Sequence, residues 1–426
     1  MSIFAKIYQS VFRMKVFKFG GASVKDVDSV KNIANVLKTN GFNDCFMVIS
    51  AMGKTTNALE EVIKLYFEAA DFQTHLDQIK QNHFQVIDGL FENPDKIKSK
   101  IQVHFDEIND FFERNKSPNY DFVYDQVVCL GELVSTRIVS EYLNSIGIEN
   151  TWLDVRNFIK TDDTYREGQV DWTKTEENFK TLDLNKFYIT QGFIGSDENH
   201  FTTTLGREGS DYTAAIIAYC LNADSMTIWK DVPGVMNADP RQFEDAQLLH
   251  KISYEEAVEL AYYGASVIHP KTLRPLRQKQ IPFFVKSFIE PTSRGTEIKN
   301  GSALEPYVPC YIVKKNQNLL TLTTADFSFI TEDKISQVFN QLADLKIKVN
   351  LMQNSAITLS LCLEDKFNQL EKLIEMLSED YKIDWEKNVS LYTFRHFNQE
   401  LESNFKRGKE LLRQTIKNTL QLIVRE

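Results

Sequence analysis

The 426-residue sequence has few cysteines, no long apolar run and no excess of positive charge. Its five cysteines are widely spaced without a CxxC pair, which argues against a disulfide framework or a zinc site and is typical of a reducing cytoplasm. The apolar runs are strand-sized, so no membrane-spanning helix is expected, and the N-terminus lacks the pattern of a signal peptide. The net charge of -10 argues against nucleic acid or an anionic membrane as a partner.

What is present is an alternation of apolar strands and amphipathic helices. Residues 14–19 and 45–51 are typical of buried strands, with helical spacing of apolar residues between them. Residues 57–148 are mostly helical by pattern, with breaks at Pro94 and Pro118. Further strand patterns lie at 150–155, 186–195, 225–230 and 281–286. This alternation predicts an α/β fold with a mostly parallel sheet and helices on both faces.

The pattern changes near residue 300, after which strands and helices are shorter. Strands are predicted at 311–324, 347–352, 356–363, 389–394 and 419–424, and helices at about 335–342, 367–378 and 407–417. We therefore predict two domains, at 14–300 and 301–426. The second is a small α+β region that we interpret as two degenerate copies of a βαββαβ unit.

The first candidate site follows the first strand, where Lys18 precedes Gly20 and Gly21. Glycines let the backbone approach a phosphate, a helix N-terminus adds partial positive charge, and Lys18 can stabilise a transferring phosphoryl group. The segment is not a Walker A loop, which requires GxxxxGK[ST]. Taken alone, a Gly-Gly turn is more often an ordinary connection between a strand and a helix.

A second candidate site lies just before a predicted helix from Tyr212 to Leu221. Arg207 can hold a substrate carboxylate through a forked hydrogen bond, and Asp211 can bind a substrate ammonium group. Ser210 or Asp211 can also cap the helix N-terminus, and in the structural alternative this is their whole role. The unusual feature is that one segment carries all of these groups.

Two further segments carry candidate residues. The loop after the strand at 225–230 contains two prolines and a glycine, and loops at the carboxyl ends of parallel strands commonly bind ligands. Glu132 follows Gly131 in a predicted helix, where a lone glutamate usually faces solvent. Neither segment indicates a function by itself.

Together these segments resemble the aspartate kinase family of the amino-acid-kinase superfamily. The matching stretches run in order at 18–24 (KFGGASV), 48–57 (VISAMGKTTN), 131–133 (GEL), 191–195 (QGFIG), 202–215, 229–241 and 263–275. The resemblance implies a three-layer αβα kinase domain with ATP and aspartate across the carboxyl ends of the strands. It also implies formation of 4-phospho-L-aspartate, the first step of lysine, threonine and methionine biosynthesis.

The resemblance implies a role for each candidate residue. Lys18 and Asp211 are expected at the catalytic centre. The residues expected to bind aspartate are Ser50, Thr56, Glu132, Arg207 and Ser210. Those expected to lie along ATP are Lys18, Gly20, Gly21, Lys230, Asp231, Met236 and Arg241. No metal site in the protein is expected, because Mg²⁺ is expected to arrive with ATP.

The tail resembles the paired ACT domains of this family, which commonly bind an amino-acid end product. The resemblance implies an amino-acid effector and a homo-oligomer, either a dimer or a tetramer. Residues 323–334 lack the glycine-bearing effector loop expected there. In the kinase domain, Ser266 and Met236 stand where many members carry a lysine and a tyrosine, and Glu208 replaces a glycine.

Two alternatives stay open beside the aspartate kinase. One is another kinase of the same superfamily, acting on glutamate, acetylglutamate or a nucleotide. The other is a catalytically impaired, ligand-binding sensor on the same fold, which the departures on the nucleotide side favour. Retention of Lys18 and Asp211 favours an enzyme.

Overall fold

The computed structural model describes residues 14–264, 268–397 and 408–426, which form two compact units. Within the described residues, the first unit comprises 14–235, 248–257 and 268–305, and the second comprises 236–247, 258–264, 306–397 and 408–426. Two short segments upstream of residue 300 thus belong with the tail. The first of them is held there because Asn237 accepts a hydrogen bond from the backbone of Tyr311 at 2.7 Å and donates one to the carbonyl of Pro309 at 2.8 Å.

Strands and helices alternate along residues 15–298. In chain order they are β1 (Lys15–Phe19), α1 (Val27–Asn40), β2 (Cys45–Ile49), α2 (Thr55–Phe67), α3 (Gln73–Leu90), α4 (Asp95–Arg114), α5 (Tyr120–Ser145), β3 (Thr151–Leu153), α6 (Trp172–Phe179), β4 (Tyr188–Gln191), β5 (Ile194–Ser196), β6 (Thr202–Thr204), α7 (Gly209–Cys220), β7 (Ser225–Lys230), β8 (Lys251–Ile252), α8 (Tyr254–Tyr263), α9 (Pro270–Gln278), β9 (Phe283–Ser287) and β10 (Thr296–Ile298). The helical breaks predicted at Pro94 and Pro118 separate α3, α4 and α5, because proline lacks the N–H group that continues a helix and its ring disfavours helical continuation.

Eight strands form one sheet in the order β3-β4-β2-β1-β7-β9-β10-β8. Neighbouring strands are parallel except β9 and β10, which are antiparallel, and β5 and β6 form a separate antiparallel hairpin. Because β1 lies between β2 and β7, Lys18 is level with Val48 on one side and Ile228 on the other. The loops that follow β1, β2 and β7 therefore begin at the same edge of the sheet, where open α/β sheets bind ligands.

Both faces of this sheet are covered by helices. Phe17 and Phe19 of β1 point to one face and join a buried apolar cluster with side chains of α1 to α5. Val16 and Lys18 alternate with them and point to the opposite face, where α7 packs against β1, β2 and β7. The predicted three-layer α/β arrangement is thus confirmed, and it directs Lys18 toward α7.

The second unit contains an antiparallel sheet in the order β12-β13-β11-β14-β16-β15. Its elements are β11 (Cys310–Thr324), α10 (Glu332–Asp344), β12 (Lys348–Asn354), β13 (Thr358–Glu364), α11 (Leu370–Leu377), β14 (Tyr381–Arg395), β15 (Lys409–Ile416) and β16 (Thr419–Arg425). The order from β11 to β14 is βαββαβ. The apolar faces of α10 and α11, including Leu342 and Leu373, are buried in one cluster with leucines of β11 and β13.

One predicted element of the tail is wrong. The segment near 407–417 was predicted as a helix, but residues 409–416 form β15, which pairs antiparallel with β16. The segment is rich in good helix formers, yet its pairing with a buried strand outweighs their local propensity.

The cysteines and the helix lengths can be compared with what the composition predicts. All five cysteines are buried, and none of them forms a disulfide. Among the residues that the structure describes, no helix combines the length and the apolar character needed to cross a membrane.

Candidate active site

Three charged side chains meet where β1 and β7 end. Lys18 Nζ lies 2.6 Å from Asp211 Oδ1, and Lys230 Nζ lies 3.7 Å from Asp211 Oδ2. Asp211 is fully buried, which opposes its ionisation, but the charges of Lys18 and Lys230 prevail and lower the pKa of Asp211. Two ammonium groups are thus gathered around one carboxylate at the ligand-binding edge of the sheet, an arrangement suited to neutralising phosphate charge.

Glu132 is a second buried carboxyl group, carried by α5. Its side chain is almost fully buried, and burial raises the pKa of Glu132 to about 8, although a backbone hydrogen bond from Ala51 partly offsets this. Its Oε2 atom has no hydrogen-bond partner among the described residues. A buried carboxyl oxygen without a partner is suited to bind a polar ligand group.

One cavity of about 620 Å³ brings most of the predicted site residues together. The predicted residues that line it are Lys18, Gly21, Ser50, Thr56, Glu132, Arg207, Ser210 and Asp211. They come from the ends of β1 and β2, from α2 and α5, and from the start of α7. The volume and the mixture of cationic and anionic walls suit a small zwitterionic ligand.

Position 21 must be a glycine, because the loops after β1 and β2 approach each other closely beside this cavity. A Cβ atom at Gly21 would lie 2.8 Å from the carbonyl oxygen of Gly53 and 2.9 Å from that of Ala51, so any side chain would displace the backbone. The N–H of Gly53 donates to the carbonyl of Gly21 at 3.0 Å. The loops after β1 and β2 are therefore in direct contact.

The start of α7 differs from the prediction. The helix begins at Gly209 with Glu208 as its N-cap, so the expectation that Ser210 or Asp211 caps it is wrong, and both lie in the first turn. Glu208 has a φ of 54°, a left-handed conformation that costs a non-glycine residue free energy. The extra turn brings Ser210 and Asp211 to the cavity wall as helical residues.

Three predicted nucleotide-side residues of the first unit stand outside the cavity lining. A Cβ atom on Gly20 would be 3.5 Å from Lys18 Nζ, which places Gly20 beside the Lys18–Asp211 pair. Lys230 contacts Asp211, as described above. Asp231 directly follows β7 and is exposed.

The other predicted nucleotide-side residues belong to the second unit. Met236 is half-buried there. Arg241 is exposed and forms an ion pair with Asp239 at 2.8 Å. Ser266, the position where many members carry a lysine, lies outside the described residues.

Sequence reasoning missed several residues of the cavity wall. These are Ala51, Gly53, Tyr124, Arg166, Glu167, Phe193, Thr204, Gly206, Glu208 and Gly209. Most of them fall inside or next to the matched segments and could have been named from that position. Arg166 and Glu167 carry no local signal, because they lie in the loop between β3 and α6 and reach the cavity through a tertiary contact with Asp125 of α5.

Comparison with known proteins identifies the family of the chain. The profile of the Amino acid kinase family matches residues 13–287. Lysine-sensitive aspartokinase 3 of Escherichia coli (strain K12) is 34% identical over 354 residues, which are 82% of this chain and 78% of the relative. The chain belongs to the aspartokinases.

Solved aspartokinase structures share its fold over nearly the whole length. Aspartokinase III of E. coli in complex with lysine and aspartate has a TM-score of 0.82 and 29% identity, covering 96% of both chains. The same enzyme in complex with aspartate and ADP has a TM-score of 0.78 and 29% identity, covering 97% of this chain and 96% of the other. These relatives confirm the predicted family and do not favour the sensor alternative.

Proposed function

We propose that this aspartokinase transfers the γ-phosphoryl group of ATP to the side-chain carboxylate of L-aspartate in the 620 Å³ cavity. A carboxylate oxygen of aspartate attacks the γ-phosphorus and the bond to the β–γ bridging oxygen breaks, which gives ADP and 4-phospho-L-aspartate for amino-acid biosynthesis. The observation that carries the proposal is the Lys18–Asp211 pair at 2.6 Å, in a cavity that Glu132 and Arg207 also line.

Lys18 and Asp211 act at the transferring group. Phosphoryl transfer needs mainly positioning and neutralisation of charge, so a buried ammonium group supplies the larger part of what the protein contributes. Lys18 stabilises the charge on the phosphoryl oxygens, and Lys230 adds a second cation nearby. Asp211 remains ionised because its pKa is lowered, and it holds both ammonium groups at the strand ends.

Five other polar side chains of the cavity bind aspartate. Arg207 forms a forked pair with a carboxylate, since a planar guanidinium matches carboxylate geometry. Glu132 binds the α-ammonium group through its buried carboxyl, which lacks an internal partner at Oε2. Hydroxyl groups of Ser50, Thr56 and Ser210 line the same cavity and donate to the carboxylates.

ATP occupies the strand-end region next to Lys18. The backbone of Gly20 and Gly21 permits close approach of the phosphates, with Lys230 and Asp231 at the end of β7. The assignment of Met236 and Arg241 to the nucleotide rests on the sequence resemblance alone. Mg²⁺ is assigned to ATP in this proposal, because Mg²⁺ usually keeps several water ligands and binds through substrate phosphates.

The tail, residues 301–426, serves as a regulatory and assembly region that binds an amino acid. Its support is the ACT-like sequence pattern, together with a solved relative that contains lysine. Assembly into a dimer or tetramer is part of this proposal, and sedimentation of a monomer at micromolar concentration would contradict it. Five buried cysteines without a disulfide fit the reducing cytoplasm as its place of action.

The hydroxamate assay tests the central proposal. Purified protein, Mg-ATP and aspartate should form an acyl phosphate that hydroxylamine traps, with glutamate as the comparison acceptor. Absence of the hydroxamate, or faster turnover of glutamate, would overturn the assignment of aspartate. Addition of lysine, threonine and methionine singly should identify the effector as the amino acid that lowers the rate.

A further inference from the structure

A buried carboxylate behind the cavity joins the parts of its wall. Asp125 lies on α5, two helical turns before Glu132, and is fully buried. Its Oδ2 accepts hydrogen bonds from the backbone N–H groups of Thr204 at 2.8 Å and Arg166 at 3.0 Å, and its Oδ1 accepts one from the Thr204 hydroxyl at 2.8 Å. Both partners line the cavity, whereas Asp125 itself does not.

The contact with Arg166 holds a strained residue in place. Arg166 has a φ of 68°, and a non-glycine residue keeps such a conformation only where its surroundings enforce it. Its guanidinium lies 4.1 Å from the centre of the Tyr124 ring and forms an ion pair with Glu60 at 3.3 Å. These two contacts hold the side chain of Arg166, whereas the hydrogen bond to Asp125 holds its backbone.

The contact with Thr204 fixes the start of the loop that carries Arg207. Thr204 is the last residue of β6, and Arg207 follows three residues later. Since Glu132 and Asp125 share α5, the two hydrogen bonds from Thr204 fix the separation between the helix that carries Glu132 and the loop that carries Arg207. These are the two groups assigned above to the substrate's ammonium and carboxylate.

We propose that Asp125 is a positioning residue of the aspartokinase reaction, which shapes the aspartate side of the cavity through Thr204 and Arg166. The inference rests on the proposed function. Asp125 touches neither substrate, so its effect falls on aspartate binding and leaves Lys18 and the ATP side in place.

Steady-state kinetics of Asp125→Ala and Asp125→Asn test the inference. In Asp125→Ala, the KM for aspartate should rise about tenfold or more, while the KM for ATP and kcat at saturating aspartate stay within about threefold. Asparagine can accept both backbone hydrogen bonds through its oxygen and donate to the Thr204 hydroxyl, so Asp125→Asn should return the KM for aspartate to within about threefold of the wild type.

Asp197→Ala is the matched control. Asp197 is also buried and accepts two backbone hydrogen bonds at 2.9 Å, from Asn199 and Phe201, but it does not line this cavity. Its loss should lower the melting temperature without raising the KM for aspartate. All assays are run about 10 °C or more below the lowest melting temperature, and Asp125→Ser replaces Asp125→Ala if the latter is not recovered folded.

The outcomes separate the two proposals. An active wild type with an unchanged KM for aspartate in Asp125→Ala, an equal rise in Asp197→Ala, or no rescue by asparagine would overturn the positioning role alone. Absence of acyl phosphate with the wild type would instead overturn the proposed function.

Discussion

At the residue scale, Lys18 is the side chain on which transfer depends most directly. Lys18→Ala removes the ammonium group that lies 2.6 Å from Asp211, and kcat should fall by about 10²- to 10³-fold. Initial rates in the hydroxamate assay measure the loss. Lys25→Ala, which changes an exposed lysine in the same loop, should retain wild-type kcat. A Lys18→Ala enzyme with most of its activity would exclude this role.

The buried Glu132 predicts the pH dependence of aspartate use. Glu132 binds the substrate ammonium only when ionised, and burial raises the pKa of Glu132 to about 8 in the free enzyme. Below pH 8, kcat/KM for aspartate should therefore rise about tenfold per pH unit and then level off. A pH series from about 6 to 9 measures it.

Glu132→Gln supplies the control for this profile. The variant should lose the rising limb and have a low, flat kcat/KM, because glutamine does not ionise. The pKa of Glu132 is higher in the folded protein than in the unfolded chain. Between these two pKa values only the unfolded chain loses the proton, so the free energy of unfolding falls as the pH rises toward 8. The variant should therefore melt above the wild type near pH 8.5 and close to it near pH 5. A rising limb that persists in the variant would assign the titration to another group.

Residues differ in how far the sequence reveals them. Lys18, Arg207 and Asp211 can be found from the sequence because each lies in a short segment whose own residues carry the recognisable motif. Arg166 has no such signal, because its contact with Asp125 joins positions 41 residues apart. The hydrogen bond between these two residues depends on how the loop folds, so it is visible only in the structure.

At the element scale, the turn after β4 packs against the first turn of α7 with no space for a side chain. A Cβ atom at Gly192 would lie 2.4 Å from Ser210 Cβ and 2.8 Å from Ser210 Cα. Gly192→Ala should lower the free energy of unfolding by about 1–3 kcal/mol and raise the KM for aspartate, because Ser210 must move. Denaturant unfolding and steady-state kinetics check the two effects.

Gly147→Ala is the comparison for this turn. Gly147 has a φ of 80° and no atom within 4 Å of the Cβ position, so alanine there meets only backbone strain. This variant should lose stability but keep the wild-type KM for aspartate. If Gly192→Ala binds aspartate normally, the turn does not position the start of α7.

The elements themselves were largely predictable because most of them are buried on one or two faces. The strands at β1, β2 and β7 and the helices from α2 to α5 follow from apolar runs and helical spacing. The exception, β15, has a mostly exposed sequence whose conformation depends on its partner β16. The start of α7 was also misplaced, because the left-handed Glu208 leaves no signature in the residue types.

At the scale of the whole molecule, two segments from upstream in the chain belong to the same compact unit as the tail. Residues 236–247 and 258–264 belong to the second unit, where Asn237 bonds to Pro309 and Glu259 pairs with Arg395 at 2.9 Å. Truncation after Glu305 removes these partners, so the shortened chain should melt lower by about 5 °C or more and lose activity. Differential scanning fluorimetry and the hydroxamate assay measure this. A truncated chain with wild-type stability would show that the kinase part folds independently.

Because all five cysteines are buried, the rate at which their thiols are alkylated measures how often the protein unfolds. Burial raises the pKa of Cys129 to about 11 and of Cys220 to about 12, so the folded protein presents almost no thiolate to an alkylating reagent. Modification should therefore proceed only as fast as molecules unfold, and ATP and aspartate should slow it in proportion to their binding. Mass spectrometry of alkylated protein would then report ligand occupancy without any measurement of catalysis.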